Sequence, residues 1–302
     1  MSASPDAAME TLTTCVLCGS ASDRFVHSAQ RGEFGVQRCT ECGLVFISPR
    51  ESTTEILRQY ADDISSPLSY YLNSARVDSL IFDKRLGWAE KYVGRGRLLD
   101  IGCNVGTFMD VARGRGWEVS GVEVNRNAAD LCAQKGHKVY RGFFSPELIE
   151  TFEHKQFDMV CLNDVIEHFP DPMKVMRLVP PLLRPGGILV VNTPNWDNVV
   201  ARTFQLKPKE HVFYFNTKTV TRILEQAGFA VELVKKAGRR REFGGLATGA
   251  TIDSKAWLAV FKLLSLTRID HLANFTLENF VTDELFIVAK ARSDAPHAPP
   301  GP

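Results

Sequence analysis

The chain has 302 residues, 44% of them hydrophobic and 24% charged, with a formal net charge of +1. That length holds one large domain, or one domain and a small companion, and near-neutrality leaves no global field to recruit nucleic acid or an anionic membrane. Residues 1–13 are small, polar and mildly acidic, and no apolar run nears the roughly 20 residues that span a bilayer, so a cytoplasmic protein is expected.

Residues 1–12 read as a flexible tail. Cys15-Val16-Leu17-Cys18-Gly19 and Cys39-Thr40-Glu41-Cys42-Gly43 follow as two Cys-x-x-Cys pairs. Thiolates three positions apart can turn toward one ion, and a glycine after each pair lets the backbone fold back over it. The spacing is that of a four-cysteine zinc site, which is structural rather than catalytic when four ligands close it. Residues 13–48 are therefore expected to form a zinc ribbon on Cys15, Cys18, Cys39 and Cys42, with the metal supplying folding energy that so short a segment lacks. Two redox pairs are the alternative. Asp23, Arg24, Arg31, Glu33, Arg38 and Glu41 make a mixed surface without a basic-aromatic stripe, so a substrate lid or packing module is expected rather than a nucleic-acid grip. Cys103, Cys132 and Cys161 sit in apolar contexts and are expected to be core thiols.

Residues 49–94 read as a helical connecting arm, with helical patterns over 55–60 and 73–92 split by Ser65-Ser66-Pro67. Leu80, Ile81, Leu86 and Trp88 are expected to pack on the main domain. Tyr60, Tyr70 and Tyr71 either pack or close over a ligand.

From residue 95 strands and helices alternate, which argues for a parallel sheet covered on both faces. Leu98 to Ile101 reads as a buried strand that stops at Gly102-Cys103-Asn104-Val105-Gly106 before a helical pattern. Such a turn aims backbone N–H groups at a ligand over the carboxyl end of the sheet. Further strands are expected over 117–124, 138–144, 157–162 and 188–192, with a helix over 171–183. Glu123, at the end of the second strand, is placed to accept both hydroxyls of a ribose. The turn is not Gly-x-Gly-x-x-Gly and nothing near it suits a pyrophosphate. Asp100 instead offers a carboxylate to a cationic ligand. That combination suits S-adenosylmethionine (SAM).

Leu-Leu-Asp-Ile-Gly-Cys-Asn-Val-Gly-Thr-Phe, Gly-Val-Glu-Val-Asn, Phe-Asp-Met-Val-Cys-Leu-Asn-Asp-Val-Ile-Glu-His-Phe-Pro-Asp-Pro and Arg-Pro-Gly-Gly-Ile-Leu-Val-Val-Asn-Thr-Pro-Asn resemble the successive motifs of class I SAM-dependent methyltransferases. The resemblance covers about 95–292 and implies an α/β, Rossmann-like seven-stranded sheet with a reversed last strand. It implies cofactor roles for Asp100, Gly102, Gly106, Glu123, Asn163 and Asp164. Asn104 stands where the family has a middle glycine and is included in the turn because asparagine tolerates left-handed backbone. Phe143 and Phe144, at the end of the third strand, are placed either to flank an adenine or to pack in the core.

Past the fifth strand, Lys209-Glu210-His211-Val212-Phe213-Tyr214-Phe215 precedes a helix over 217–227. A histidine beside a glutamate can be held in one tautomer as a general base, and His168 lies on the same rim. A four-cysteine ribbon joined to this core is similar to the zinc-containing sugar methyltransferases of natural-product and surface-polysaccharide pathways. In that group's C-methyltransferases, positions matching His168, Glu210 and His211 help remove a proton beside a keto group. Pro208 stands in place of that group's tyrosine, and no counterpart of its large C-terminal domain follows. The expectation is therefore methyl transfer to a small-molecule acceptor, a sugar or natural-product intermediate, with O-methylation favoured over C-methylation. An RNA or protein methyltransferase is the alternative, and a non-catalytic SAM-binding protein the third reading. An insertion is expected over 238–282, where Arg239-Arg240-Arg241 precedes an apolar run from Trp257 to Leu266. That run suits a core or dimer helix, an acceptor lid, or weak membrane-surface contact. Residues 293–302 read as a disordered tail, and the assembly as a monomer or homodimer.

Overall fold

The structure, a computed structural model, describes residues 9–62, 68–154, 156–238 and 282–292. Nearly all of the insertion expected over 238–282, and the tail expected from 293, lie outside the described residues.

The N-terminal segment carries strands β1 (Met9–Glu10), β2 (Phe25–Arg31), β3 (Phe34–Cys39), β4 (Val45–Ile47) and β5 (Arg50–Glu51). β2, β3 and β4 form an antiparallel meander, while β1 pairs with β5. The chain is thus tied down from residue 9, where the sequence suggested a tail running to residue 12. The reason is electrostatic. Arg50 is buried and needs a counter-charge, and Glu10 supplies it with Oε1 2.7 Å from Nη2. Leu12 N also donates to Ser48 Oγ at 3.0 Å.

The arm is helical. α1 (Thr53–Ala61) is capped by Ser52, whose hydroxyl accepts from Glu55 N. α2 (Leu68–Ala89) buries Ile81, Arg85, Leu86 and Ala89. Leu86 and Ala89 pack with Leu98, Phe108, Met159 and Phe286, with partly buried Trp88 against the same cluster. Leu80, expected in that contact, faces out at 52% exposure.

Then follow β6 (Arg97–Ile101), α3 (Thr107–Gly114), β7 (Glu118–Glu123), α4 (Arg126–Gln134), β8 (Lys138–Arg141), α5 (Pro146–Ile149), β9 (Phe157–Asn163), α6 (Pro172–Met176), β10 (Leu183–Pro194), α7 (Val199–Phe204), β11 (Phe213–Tyr214), α8 (Thr217–Gln226), β12 (Phe229–Ala237) and β13 (Glu284–Ala291). Seven strands make one sheet in the order β12-β13-β10-β9-β6-β7-β8. β10, β9, β6, β7 and β8 run parallel, and β13 is antiparallel to both neighbours. This is the Rossmann-like, reversed-strand sheet expected from the motifs. β9 is buried from Phe157 to Leu162, which is why it reads as a nearly unbroken apolar run.

The helix expected over 171–183 is shorter. α6 stops at Met176, a 3-10 turn covers Pro180–Leu182, and β10 has begun by Leu183. Pro180 and Pro181 lack the N–H that an α-helix would need there.

β11 does not join the seven-stranded sheet. It pairs antiparallel with β4, giving the N-terminal sheet the order β11-β4-β3-β2. Cys15, Leu17, Cys39, Leu44 and Phe46 of the N-terminal segment share one buried cluster with Val160, Val191, Phe213 and Phe215. Among the described residues no helix is long and apolar enough to cross a membrane.

Candidate active site

The turn after β6 is built around Glu123. Gly102 N and Cys103 N both donate to the Val122 carbonyl, at 2.9 and 3.0 Å, which folds the turn over the end of β7. Glu123, buried, accepts from Asn104 N on Oε2 and from Asn125 N on Oε1, each at 2.8 Å. Asn104 takes the left-handed conformation expected of it, φ 47°. Its side chain accepts from Val105 N at 2.7 Å, a local bond that suits asparagine there. Gly106 at φ 78° is the N-cap of α3.

Asp100 lies beneath this turn, buried at the end of β6. Burial, reinforced by the Glu123 charge, pushes its carboxyl up to about 8. Asn163 Nδ2 opposes that shift by donating to Asp100 Oδ1 at 3.3 Å. Asn163 is steadied in turn by a chain of buried groups. Its Oδ1 accepts from Asn192 Nδ2 (2.6 Å), Asn192 Oδ1 accepts from Arg85 Nη1 (3.1 Å), and Arg85 Nη2 meets Glu284 Oε2 (2.6 Å). Asp164 turns left-handed, φ 54°, with its N–H on the Asn192 carbonyl at 3.0 Å. The expected cofactor residues Asp100, Gly102, Asn104, Glu123, Asn163 and Asp164 therefore stand together at the carboxyl ends of β6, β7 and β9, and Gly106 opens α3 beside them. Phe144 is buried in the core cluster, while Phe143 lies at the surface.

The second group lies where the segments after β9 and β10 meet. His168 Nδ1 is 2.7 Å from the Glu210 carbonyl and 2.6 Å from Tyr60 Oη, and Tyr60 Oη also donates to that carbonyl at 2.7 Å. Burial pushes the His168 imidazole down to about 4, against the pull of the Glu210 and Asp164 main chains. His168 is therefore neutral near pH 7. His211 is buried with Nδ1 3.0 Å from the Gln205 carbonyl. A carbonyl there calls for N–H on Nδ1, which makes Nε2 the basic nitrogen. The two imidazoles stand edge to face with centroids 4.8 Å apart.

Glu210 differs from expectation in the part of it that acts. Its carboxylate lies 3.2 Å from Lys207 Nζ, and its main-chain carbonyl is the group that meets His168 and Tyr60. Glu167 has a larger share in the cluster than the sequence suggested. It is buried, with Oε2 accepting from Thr193 Oγ1 at 2.9 Å and Oε1 without a partner among the described residues. Burial holds this carboxyl well above its usual range. One acceptor or donor atom from each of Glu167, His168 and His211 falls within 4.8 Å of the others. Tyr60 bridges the two groups, because Asn125 Nδ2 donates to its carbonyl at 3.4 Å.

The four N-terminal cysteines converge. Their sulfurs lie within 4.8 Å of one another, with Cys15 to Cys42 at 3.5 Å and Cys18 to Cys39 at 3.6 Å. Zn–S bonds of about 2.3 Å in a tetrahedron place sulfurs roughly 3.8 Å apart. The two knuckles have the same build. Gly19 N donates to Cys15 O and Gly43 N to Cys39 O, at 2.8 and 2.9 Å, with both glycines at positive φ. The donor set fits a closed zinc site. Cys103, Cys132 and Cys161 are buried free thiols, as expected.

Comparison with known proteins agrees with this layout. The family model described as "Methyltransferase domain" matches residues 73–234. A curated ubiquinone biosynthesis O-methyltransferase of Ruegeria pomeroyi is 35% identical over 137 residues, 42% of this chain and 54% of the relative. One of Pseudomonas aeruginosa is 31% identical over 131 residues, 41% and 52% of the two chains. The chain spans about half the length of the curated relatives it matches. A SAM-dependent methyltransferase structure from Archaeoglobus fulgidus aligns with TM-score 0.50 at 24% identity, covering 73% of this chain and 99% of that one. One from Thermotoga maritima aligns with TM-score 0.52 at 15% identity, covering 79% and 99%. At such identities these two likenesses speak for the fold.

Proposed function

We propose that this chain, which belongs to the methyltransferase-domain family, transfers a methyl group from SAM to a hydroxyl oxygen of a small-molecule acceptor, a sugar or other natural-product intermediate, with His211 as general base. SAM, when bound, supplies the methyl group as an electrophile on a sulfonium. The remaining work belongs to the chain. Glu123, oriented by two backbone N–H groups, presents its carboxylate to the ribose hydroxyls. Asp100 and the Asn163 amide face the cationic methionine portion, and the turn from Gly102 to Gly106 supplies backbone donors. Positioning the acceptor oxygen in line with the methyl provides most of the acceleration.

The observation that carries the choice of base is the contact of His211 Nδ1 with the Gln205 carbonyl. It sets the tautomer in which Nε2 takes the acceptor proton. His168, neutral and fastened by Tyr60 and Glu210, backs the His211 ring and sets its angle. The curated relatives are named for O-methylation of a small molecule, which supports oxygen as the acceptor atom. The four-cysteine site takes the structural role that a closed thiolate set has.

The test is isotope transfer from labelled SAM to a panel of hydroxyl-bearing acceptors. His211→Ala is expected to lower turnover about 10²–10⁴-fold, the usual worth of a positioned base. S-adenosylhomocysteine affinity should stay within about twofold of the parent. Turnover unchanged by His211→Ala and by His168→Ala would discard this assignment.

A further inference from the structure

The cysteine site and the His211 segment are parts of one sheet. Cys39 ends β3, and its N–H takes the Leu44 carbonyl at 2.9 Å, closing the second knuckle directly onto β4. β4 then pairs with β11, Phe46 opposite Phe213 and Val45 opposite Tyr214. Ile47 N donates to the Val212 carbonyl at 3.0 Å, and Val212 N donates to the Glu167 carbonyl at 3.0 Å. A continuous backbone ladder thus runs from the second cysteine knuckle through β4 to the residue after His211, and on to the residue before His168.

The exit of the N-terminal segment repeats the link with side chains. Buried Arg50 donates to the Pro170 carbonyl at 3.1 Å, just past His168, and its guanidinium lies 5.5 Å from the Phe213 ring centre. Leu44 and Phe46 on one side, and Val212, Phe213 and Phe215 on the other, are buried in the same cluster. Among the described residues β11 has one strand partner, β4.

We propose that the Cys15, Cys18, Cys39 and Cys42 site is a positioning element of the acceptor pocket, metal binding there ordering β4 and β4 fixing the His211 segment. The proposal rests on the reading of His211 as the base for its consequence in catalysis, but its structural claim stands apart from that reading. A cofactor half built from β6, β7 and β9 would then depend on the metal less than the acceptor half does.

The test strips the full chain of metal with a chelator under reducing conditions, confirms the loss by metal analysis, and follows amide hydrogen exchange. Exchange at residues 212–215 is expected to rise at least tenfold more than exchange at the amides of β6, β7 and β9. S-adenosylhomocysteine affinity is expected to remain within about twofold. Titrating Zn²⁺ back should restore protection at 212–215 in proportion to metal bound, and Cys18→Ser should shift that titration to higher Zn²⁺ concentration. Unchanged exchange at 212–215 in metal-free protein overturns the proposal. So does a loss of protection that spreads equally through β6, β7 and β9, because the metal would then support the whole fold. Failure of the proposed function shows differently: no acceptor is methylated by zinc-loaded protein, whatever the exchange pattern.

Discussion

Asp100 is a carboxylate in a dry place, with its proton affinity pushed up to about 8 by burial and by the neighbouring Glu123 charge. A cation seated against it would favour the ionised form and expel the proton. The sign follows. Below about pH 8 the empty pocket keeps the proton, so binding SAM releases it, and affinity climbs with pH, by up to about tenfold per unit, until the release fades above that value. Calorimetry at pH 7 in buffers of different ionisation enthalpy should report close to one proton released, and Asp100→Asn should abolish the release. A buffer-independent heat for the unchanged chain would mean that the cationic part of the cofactor sits elsewhere. Residues of this kind were legible where the argument was local. Glu123 follows from a strand end and Asn104 from a turn, while Asn163 enters only through the resemblance to the methyltransferase motifs. Arg85, Asn192 and Glu284 were not, because the chain of bonds linking them to Asp100 exists only once α2 lies across β10 and β13. Glu167 is not legible beside His168, since nothing in a sequence tells which of two adjacent polar side chains turns inward.

At the scale of elements, the strand-turn-helix unit after β6 makes a sharp demand. Gly102 has φ 75°, and a Cβ added there would lie 2.7 Å from Val165 Cγ2. Left-handed backbone costs a non-glycine residue roughly 1–2 kcal/mol, and overpacking adds about 1–3 kcal/mol. Gly102→Ala is therefore expected to destabilise the chain by about 2–5 kcal/mol in denaturant unfolding and to weaken cofactor binding with it. Gly114→Ala is the control. Gly114 closes α3 with nothing within 4 Å of an added Cβ, so alanine should be neutral or stabilise by up to about 1 kcal/mol. Equal losses at both sites would refute the steric argument. The same unit was readable because its punctuation is local: an apolar strand, a glycine turn, an amphipathic helix. β11 was not readable. Val212 to Phe215 is an apolar run that could serve several elements, and only the distant β4 makes Phe213–Tyr214 a strand. The expected helix over 171–183 failed for a related reason, its apolar pattern outweighing two adjacent prolines.

At the scale of the molecule, the sequence divides naturally into a ribbon, an arm and a main domain, yet the buried cluster does not respect those divisions. Leu44 and Phe46 pack with Val212, Phe213, Phe215 and Phe229 in one continuous core. A zinc module on a free linker would melt by itself and leave the rest unmoved. If metal at the cysteine site orders β4 as proposed, removing it is expected to weaken the packing of Leu44 and Phe46 on the main domain as well. Two such side chains are worth about 3–6 kcal/mol in burial, and at about 2–4 °C per kcal/mol for a chain of this class the shift should be roughly 6 °C or more. Calorimetry is thus expected to show one unfolding transition for the zinc-loaded chain, and chelation to lower that main transition rather than delete a separate small one. The local exchange expected at 212–215 is compatible with this, because a loosened edge lowers the stability of a common core before it opens the centre. Two resolved transitions, or a main transition indifferent to chelation, would show that the ribbon and the sheet are energetically independent despite their shared strand pairing.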